Sequence, residues 1–428
     1  TFAGAASAAS AAVAGAIPVV VSSSEVLSDI GPHAVVEAGD SIAVSARADT
    51  ELYNIAGSVA GSVAAAGAGA TLSTLVIANS VEANVHDYVE MIAHAMLEDA
   101  VLPAGVELPG RDTRFRGILV SATAKTRLAM ISGSGAAALG TASVAGVVNT
   151  LVLKNKVKAA VGNHVALASG RESSTESSAK TGDGKVLVES DDDSHIYNLA
   201  GGLSASSGVG VGATIVAMVY DKEVSATVGD GGILLATVDA AVQATSKDEV
   251  ILLALSFAFA GNASVAVGAS ALVFENDVLA RLGGRVVSAG AVKVYAKGET
   301  KMGNYAVGAA GGGTASVMPI AIVTYFDGTT RAIVGAAADI DAVGSVTVSA
   351  DSKEDIASDA AGFGASGTAS VSGTVDVILS KQKTVAMTES GALIDAQALS
   401  VNAADDFKLT GVVVTAAASG TVGVAISA

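Results

Sequence analysis

The sequence predicts an all-β fold, an elongated repetitive β-solenoid of stacked sheets, and three observations carry that prediction. A three-part unit recurs about every 50 to 75 residues along the 428-residue chain. Within the units, apolar or Ala side chains alternate with Gly, Ser and Thr at a period of two, which is the strand period. The composition is small-residue: 49 Gly and 51% hydrophobic but only 4% aromatic, with no Trp, so a core must form by close approach of layers. Each unit leaves apolar surface that only its neighbour can cover. The chain therefore reads as one continuous array over 1–428.

The first part of each unit is a long uncharged tract. Ile55 to Ser80, Leu199 to Tyr220, Val250 to Phe274 and Ala306 to Phe326 each run about 20 residues or more without a charge, a length that in isolation indicates a transmembrane helix. The internal order points elsewhere. From Leu203 to Ile215 the aliphatic side chains fall mostly on one parity and Gly, Ser or Thr on the other, and Gly at this density costs a helix roughly 1 kcal/mol per residue against Ala. The flanks show no alternation of basic and non-basic loops and no consistent aromatic girdle. The tract is either one wide strand face or a folded-back pair with its bend at Gly67-Ala68-Gly69, Gly208-Val209-Gly210 or Gly311-Gly312-Gly313.

The second part reads Val81-Glu82-Ala83-Asn84-Val85, Val157-Lys158-Ala159-Ala160-Val161-Gly162, Val224-Ser225-Ala226-Thr227-Val228-Gly229 and Val278-Leu279-Ala280-Arg281-Leu282-Gly283. In it Val157, Ala159 and Val161 share an inner face and Lys158 and Ala160 an outer one. The closing Gly at 31, 162, 229, 283, 335 and 391 is expected to supply the backbone freedom of a corner. The third part is a short alternating strand such as Ile42-Ala43-Val44-Ser45-Ala46, or Val292, Val294 and Ala296 around Lys293 and Tyr295. Clusters such as Ser352-Lys353-Glu354-Asp355 and Ser246-Lys247-Asp248-Glu249 mark exposed turns.

Two insertions interrupt the array. Over 86–117, Asp87 and Glu90 have capping-box spacing and Val89, Ile92 and Met96 share a helical face, so a short helix is predicted from Asp87 to Leu97. Over 163–193, the Ser-, Glu- and Thr-rich run from Ser169 to Asp193 predicts an exposed, mobile polar loop.

A net charge of −17 argues against nucleic acid, whose phosphates need clustered Lys and Arg. The absence of Cys removes disulfide and thiol chemistry. No catalytic constellation stands out. His33, His86, His94, His164 and His195 are scattered and form no HExxH motif; His86, Glu90 and His94 could line one face of the predicted helix as metal ligands, but the bland reading is preferred. The run Gly208-Val209-Gly210-Val211-Gly212 lacks dinucleotide-loop spacing. Asp183 with Asp191-Asp192-Asp193, and Gly229-Asp230-Gly231, match no calcium motif and read as solvated acidic turns. Tyr53-Asn54, Tyr197-Asn198 and Asn304-Tyr305 recur near the tract starts; their Tyr residues could be ligand contacts, but the preferred reading is that they cap or align the stack. No catalytic, cofactor-binding or metal-binding residue is assigned, and no enzyme activity is expected.

Taken together, the small-residue tract, the V-x-A-x-V-G strand and the V-x-V-x-A-x-[ST] strand resemble the repeats of very large bacterial leukotoxin-like filamentous adhesins. Gly39 to Ala46 (GDSIAVSA) and Val343 to Ala350 (VGSVTVSA) resemble them most. The resemblance implies an exported, extracellular β-helical stalk at the bacterial cell surface and carries over no toxin activity. Thr1-Phe2-Ala3 shows neither an initiating Met nor a signal peptide, and both ends fall inside a tract, which leads to an expectation of head-to-tail homopolymer contacts or of a longer parent solenoid. A surface receptor is left unidentified, and neither nucleic acid nor membrane insertion is expected. The rival readings are a membrane-embedded or pore-forming protein and a β-helical polysaccharide-active enzyme, the latter disfavoured by the scarcity of aromatic sugar platforms.

Overall fold

A computed structural model describes residues 1–8, 10–96 and 115–428. The chain opens with β1 (Phe2–Ser7), β2 (Ala12–Ala16), β3 (Val19–Ile30) and β4 (Val35–Ala38). It continues through β5 (Ile42–Ser62), β6 (Ala66–Val85) and β7 (Glu90–Ala93), then β8 (Gly117–Ala138), β9 (Ala142–Val161) and β10 (Ala166–Ser169). Next come β11 (Lys185–Ser206), β12 (Val209–Val228) and β13 (Ile233–Ala236), followed by β14 (Ala240–Ala260), β15 (Ala263–Leu282) and β16 (Arg285–Ser288). The last elements are β17 (Val292–Gly312), β18 (Ala315–Val334), β19 (Asp339–Ser366), β20 (Ala369–Thr388), β21 (Leu393–Ser419) and β22 (Val422–Ser427).

One coil is a four-residue strand, a long strand, a sharp bend and a second long strand, as in β13, β14 and β15. Each strand pairs in parallel with its counterpart in the coils before and after. Ile233, Arg285, Asp339 and Leu393 occupy one column, spaced 52 or 54 residues apart. The first long strands and the short strands make a 13-stranded sheet joined through β19, in which a register shift between Ala342 and Ser345 marks where the short strand becomes the long one. The second long strands make a nine-stranded sheet. The fold is thus all-β, parallel and solenoid-like, and the uncharged tract is the folded-back pair. Its bends include Ser207-Gly208 and Gly313-Thr314, whereas Gly67-Ala68-Gly69 runs within β6.

The core follows the predicted faces. Val157, Ala159 and Val161, like Val292, Val294 and Ala296, are buried in a Val- and Ala-rich cluster where the short strands close off one end of the coil. A second cluster lies between the long strands and contains the in-register ladder Tyr220, Phe274 and Phe326. Ring centroids there are 5.0 Å apart edge-on and 5.6 Å apart stacked, one ring per strand step. Stacking columns is therefore the rule by which this sequence specifies register.

Three expectations need correction. The segment from Asp87 to Met96 contains no helix; Leu97 and Glu98 lie outside the described residues. Glu90–Ala93 is a strand between β4 and β10, with Val36, Met91 and Leu167 in one column. Pairing on both edges satisfies its backbone, and Asp87 spends its carboxylate on the backbone N–H of Asn163 in the next coil (2.7 Å) instead of capping a helix. The corner glycines do not supply unusual dihedrals, Gly391 excepted. At these corners the left-handed residues are His33, Tyr88 and His164, with φ of 61°, 61° and 54°, and then Gly231 at 70°. Gly229 is needed for clearance, since a Cβ there would stand 2.7 Å from Asn163 Oδ1. Of the insertion over 163–193, Asn163 and His164 form a corner, Ala166–Ser169 is β10, and Lys185 to Asp193 begin β11. The intervening 170–184 loop lies over the short-strand row. Thr181 Oγ1 donates to His94 O and Thr237 Oγ1 to Gly182 O, both at 2.6 Å.

Candidate functional site

The sequence-level candidates do not assemble. His86 Nε2 lies 2.8 Å from Asp29 Oδ2, and His94 Nε2 lies 2.8 Å from Glu37 Oε1. Glu90 accepts from Ser174. Each is engaged by a different neighbour, and among the described residues no group of three His, Asp or Glu side chains could hold a metal ion. Asp183 pairs with Lys180 at 2.7 Å, and Asp230 with Arg281 at 3.1 Å. His195 sits between Asp193 and Glu249, at 3.3 and 3.2 Å. His33 and His164 stack on the two faces of Tyr88, with centroids 5.1 and 5.2 Å away, as a ladder of exposed rings along the corner. Gly208 to Gly212 is bend and strand.

Asp192 corrects the reading of Asp191 to Asp193 as a solvated turn, and the clusters Ser246 to Glu249 and Ser352 to Asp355, expected as exposed turns, likewise lie inside β14 and β19 with Ser246, Asp248, Ser352 and Glu354 buried. The Asp192 side chain is fully buried in β11 and pairs with the equally buried Lys222 of β12, which also reaches Asp248 of β14 at 2.8 Å. Ser194 donates to Asp192, and Ser246 to Asp248, each at 3.0 Å. Tyr220 in turn donates to Ser194 at 2.9 Å. Burial opposes the charge on Lys222, but the two carboxylates together hold its pKa above the usual value. Burial, with the charge of Asp192, pushes Asp248 up to about 6 against the pull of Lys222. Asp191 is likewise pushed up to about 6 by burial and by its two acidic neighbours. Two coils on, burial raises Glu354 to about 7. In coils without these charges, neutral groups such as Asn155 and Thr126, 3.1 Å apart, fill the same layer. A one-residue slip of any of these strands would break the network, so it discriminates against other registers whatever its net contribution to stability.

On the bend side of this polar layer the usual arrangement inverts. The facing interior is built mostly from Gly, Ala, Ser, Thr and Asn, with larger side chains such as Met130, Leu252, Met318 and Ile320 among them. Asn54 donates to Ser73 and Asn149 to Asn198, each at 3.0 Å, and Ser134 donates to the Gly69 carbonyl at 2.8 Å. Asn54, Asn198 and Asn304 occupy one interior column with Met130 and Leu252 between them, while Tyr53 and Tyr197, the residues expected to cap or align the stack, face outward. The sheets approach so closely that a Cβ on Gly69 or Gly212 would lie 2.5 Å from a carbonyl of the opposite sheet.

The outer faces of this distal half carry the bulk. On the first sheet, Ile55, Ile131, Leu203 and Phe259 point outward with close to half of their surface exposed. On the second sheet, Leu72, Val144, Ile215, Val219, Val323 and Val375 do the same. Among the described residues, Asp359 is the one charged side chain outward on the first sheet between the border and the bends, and the second sheet has none there. The border is abrupt. Glu51, Arg127, His195, Glu249, Lys301, Asp355 and Lys408 form one column immediately before the apolar face. Across the sandwich, Lys154, Asp221, Glu275, Asp327 and Lys381 form the matching column. Tyr53, Tyr197 and Tyr325 stand directly at the border. The signal for this surface was in the sequence, since both strand parities of each tract are uncharged, but period alone does not say which parity faces inward. No protein-family model, curated protein or solved structure matches this chain.

Proposed function

We propose that the chain is a structural repeat segment of an extracellular bacterial surface fibre or adhesin stalk of the leukotoxin-like kind. The observation that supports this reading most is the repeated coil-on-coil contact: Leu167, Leu234, Val286 and Ile340 form one buried column, each covered by its neighbour in the next coil. Each coil adds to the last by the same parallel contact, so an array of this kind lengthens without a new geometry. Phe407 and Leu409 on β21 continue two such columns, in register with Glu354 and Ile356. Negative-stain microscopy and light scattering on the purified 428-residue chain test the reading. Rods that lengthen with concentration, and shorten when Phe407→Lys and Leu409→Lys are combined, are the expected outcome. A particle of fixed single-chain length at every concentration would remove the fibre.

A further inference from the structure

We infer that the distal half of the coil stack inserts into the hydrocarbon of a lipid bilayer, with the charged half remaining in water. This goes beyond the fibre reading and does not depend on it. The inference rests on the distal half of the sandwich: an interior largely of small and polar side chains, exposed large apolar ones on both outer faces, and a charged border at the same height on each.

The size of the surface excludes a casual patch. Ten residues from Tyr197 to Ser206 span roughly 33 Å at the rise of a parallel strand, and seven such strands lie side by side at about 4.8 Å. Each face is then on the order of 1,000 Å², beyond the few hundred Å² that soluble proteins expose contiguously. The height matches the roughly 30 Å of bilayer hydrocarbon. Tyr53, Tyr197 and Tyr325 stand where the headgroups would begin, the level at which Tyr concentrates in membrane proteins. The bends are uncharged, polar at Ser207-Gly208, Gly261-Asn262 and Gly313-Thr314 and apolar at Val63 and Leu139, which suits passage to the far interface.

Lipid also demands that no backbone group be left unpaired. Between neighbouring coils parallel stacking meets this demand, because each coil's strands and bend are bonded to the next; the outer edges of the first and last coils stay open. Thr141 N donates to Ala65 O at 2.8 Å, Asn262 N to Gly208 O at 3.0 Å and Thr314 N to Asn262 O at 2.7 Å. A second copy of the chain laid against one face would leave the other face and the bends uncovered. Lipid covers all three together.

The chain has no Trp, so single reporters can be placed at will. The full chain is reconstituted by detergent dilution into phosphatidylcholine vesicles and floated on a density gradient. Phe259→Trp, outward on the distal face, is compared with Val343→Trp, exposed at the short-strand end. The expected result is flotation, with dibromo-phosphatidylcholine quenching the first Trp several-fold more than the second. Leu203→Asp combined with Ile215→Asp should abolish flotation while the circular dichroism stays β. If that pair fails to fold, the quenching comparison still decides, since its substitutions face outward. A chain left at the bottom of the gradient overturns the inference, as does equal quenching at both positions. Discrete vesicle-free assemblies that bury the Phe259→Trp reporter would also overturn it and make the faces an interface between copies. Loss of rod formation without loss of flotation would sink only the fibre reading.

Discussion

At Lys222 a positive charge is enclosed between Asp192 and Asp248 with no access to water. Two carboxylates share one ammonium, so the group is short by one proton. Replacing Lys222 with Met leaves both acids buried and unpaired, and we expect a loss of about 3 to 5 kcal/mol at neutral pH. Restoring most of it should require adding Asp192→Asn and Asp248→Asn, as read by denaturant melts; a silent Lys222→Met would mean that the pair is not formed. The pH dependence follows from the same residues. Asp248 and Asp191 sit near 6 in the fold, against an ordinary 3.8. Between those values the folded chain holds protons that the unfolded chain has released. Their contribution is therefore complete below about pH 4 and is lost as the pH rises through about 6, on the order of 3 kcal/mol at Asp248. The melting temperature should fall from pH 4.5 to 7.5, and Asp248→Asn should flatten that fall. An unchanged slope in the variant would remove Asp248 as its source.

Within single strands, glycine distinguishes the two faces. Gly212 of β12 is buried and a Cβ there meets the Phe257 carbonyl at 2.5 Å, while Gly146 of β9 faces outward with nothing within 4 Å. Gly212→Ala must therefore push the sheets apart and should cost about 1 to 3 kcal/mol. Gly146→Ala should be neutral or should stabilise by up to about 1 kcal/mol, because glycine loses the most freedom on entering a strand. Equal effects in thermal melts would show that the sheets are not in close contact. The same scale explains why β7 is not a helix. Val89, Ile92 and Met96 have helical spacing, yet four residues gain more from two parallel neighbours than from a single isolated turn, whose nucleation is unfavourable.

For the molecule as a whole, the repeated contact sets both shape and surface. Columns of like residues, such as Tyr220, Phe274 and Phe326, extend along the stack, as do alternating charges such as Asp327 with Lys381 (2.9 Å) and Asp355 with Lys408 (3.2 Å). Each coil thus copies its outer pattern onto the next, and a single apolar coil becomes an apolar wall. Circular dichroism in detergent should show a predominantly β spectrum that survives dilution into vesicles. A helical spectrum under either condition would contradict the stack.

The all-β class, the coil repeat and the inner face of the V-x-A-x-V strands were legible in the sequence because period two and fixed column identity are local properties. Val157, Ala159 and Val161 announced their burial. The sequence could not say that Asp192 is internal, because a three-Asp run looks like a turn until Lys222, thirty residues away along the chain, is folded opposite it. Nor could it say which parity of the uncharged tract faces inward. Both parities lack charge, and the usual rule would bury Leu203 and Ile215. The structure buries Ser204 and Thr214 instead, because the sheets meet there at glycine distance and leave room for Leu203 and Ile215 only on the outer faces.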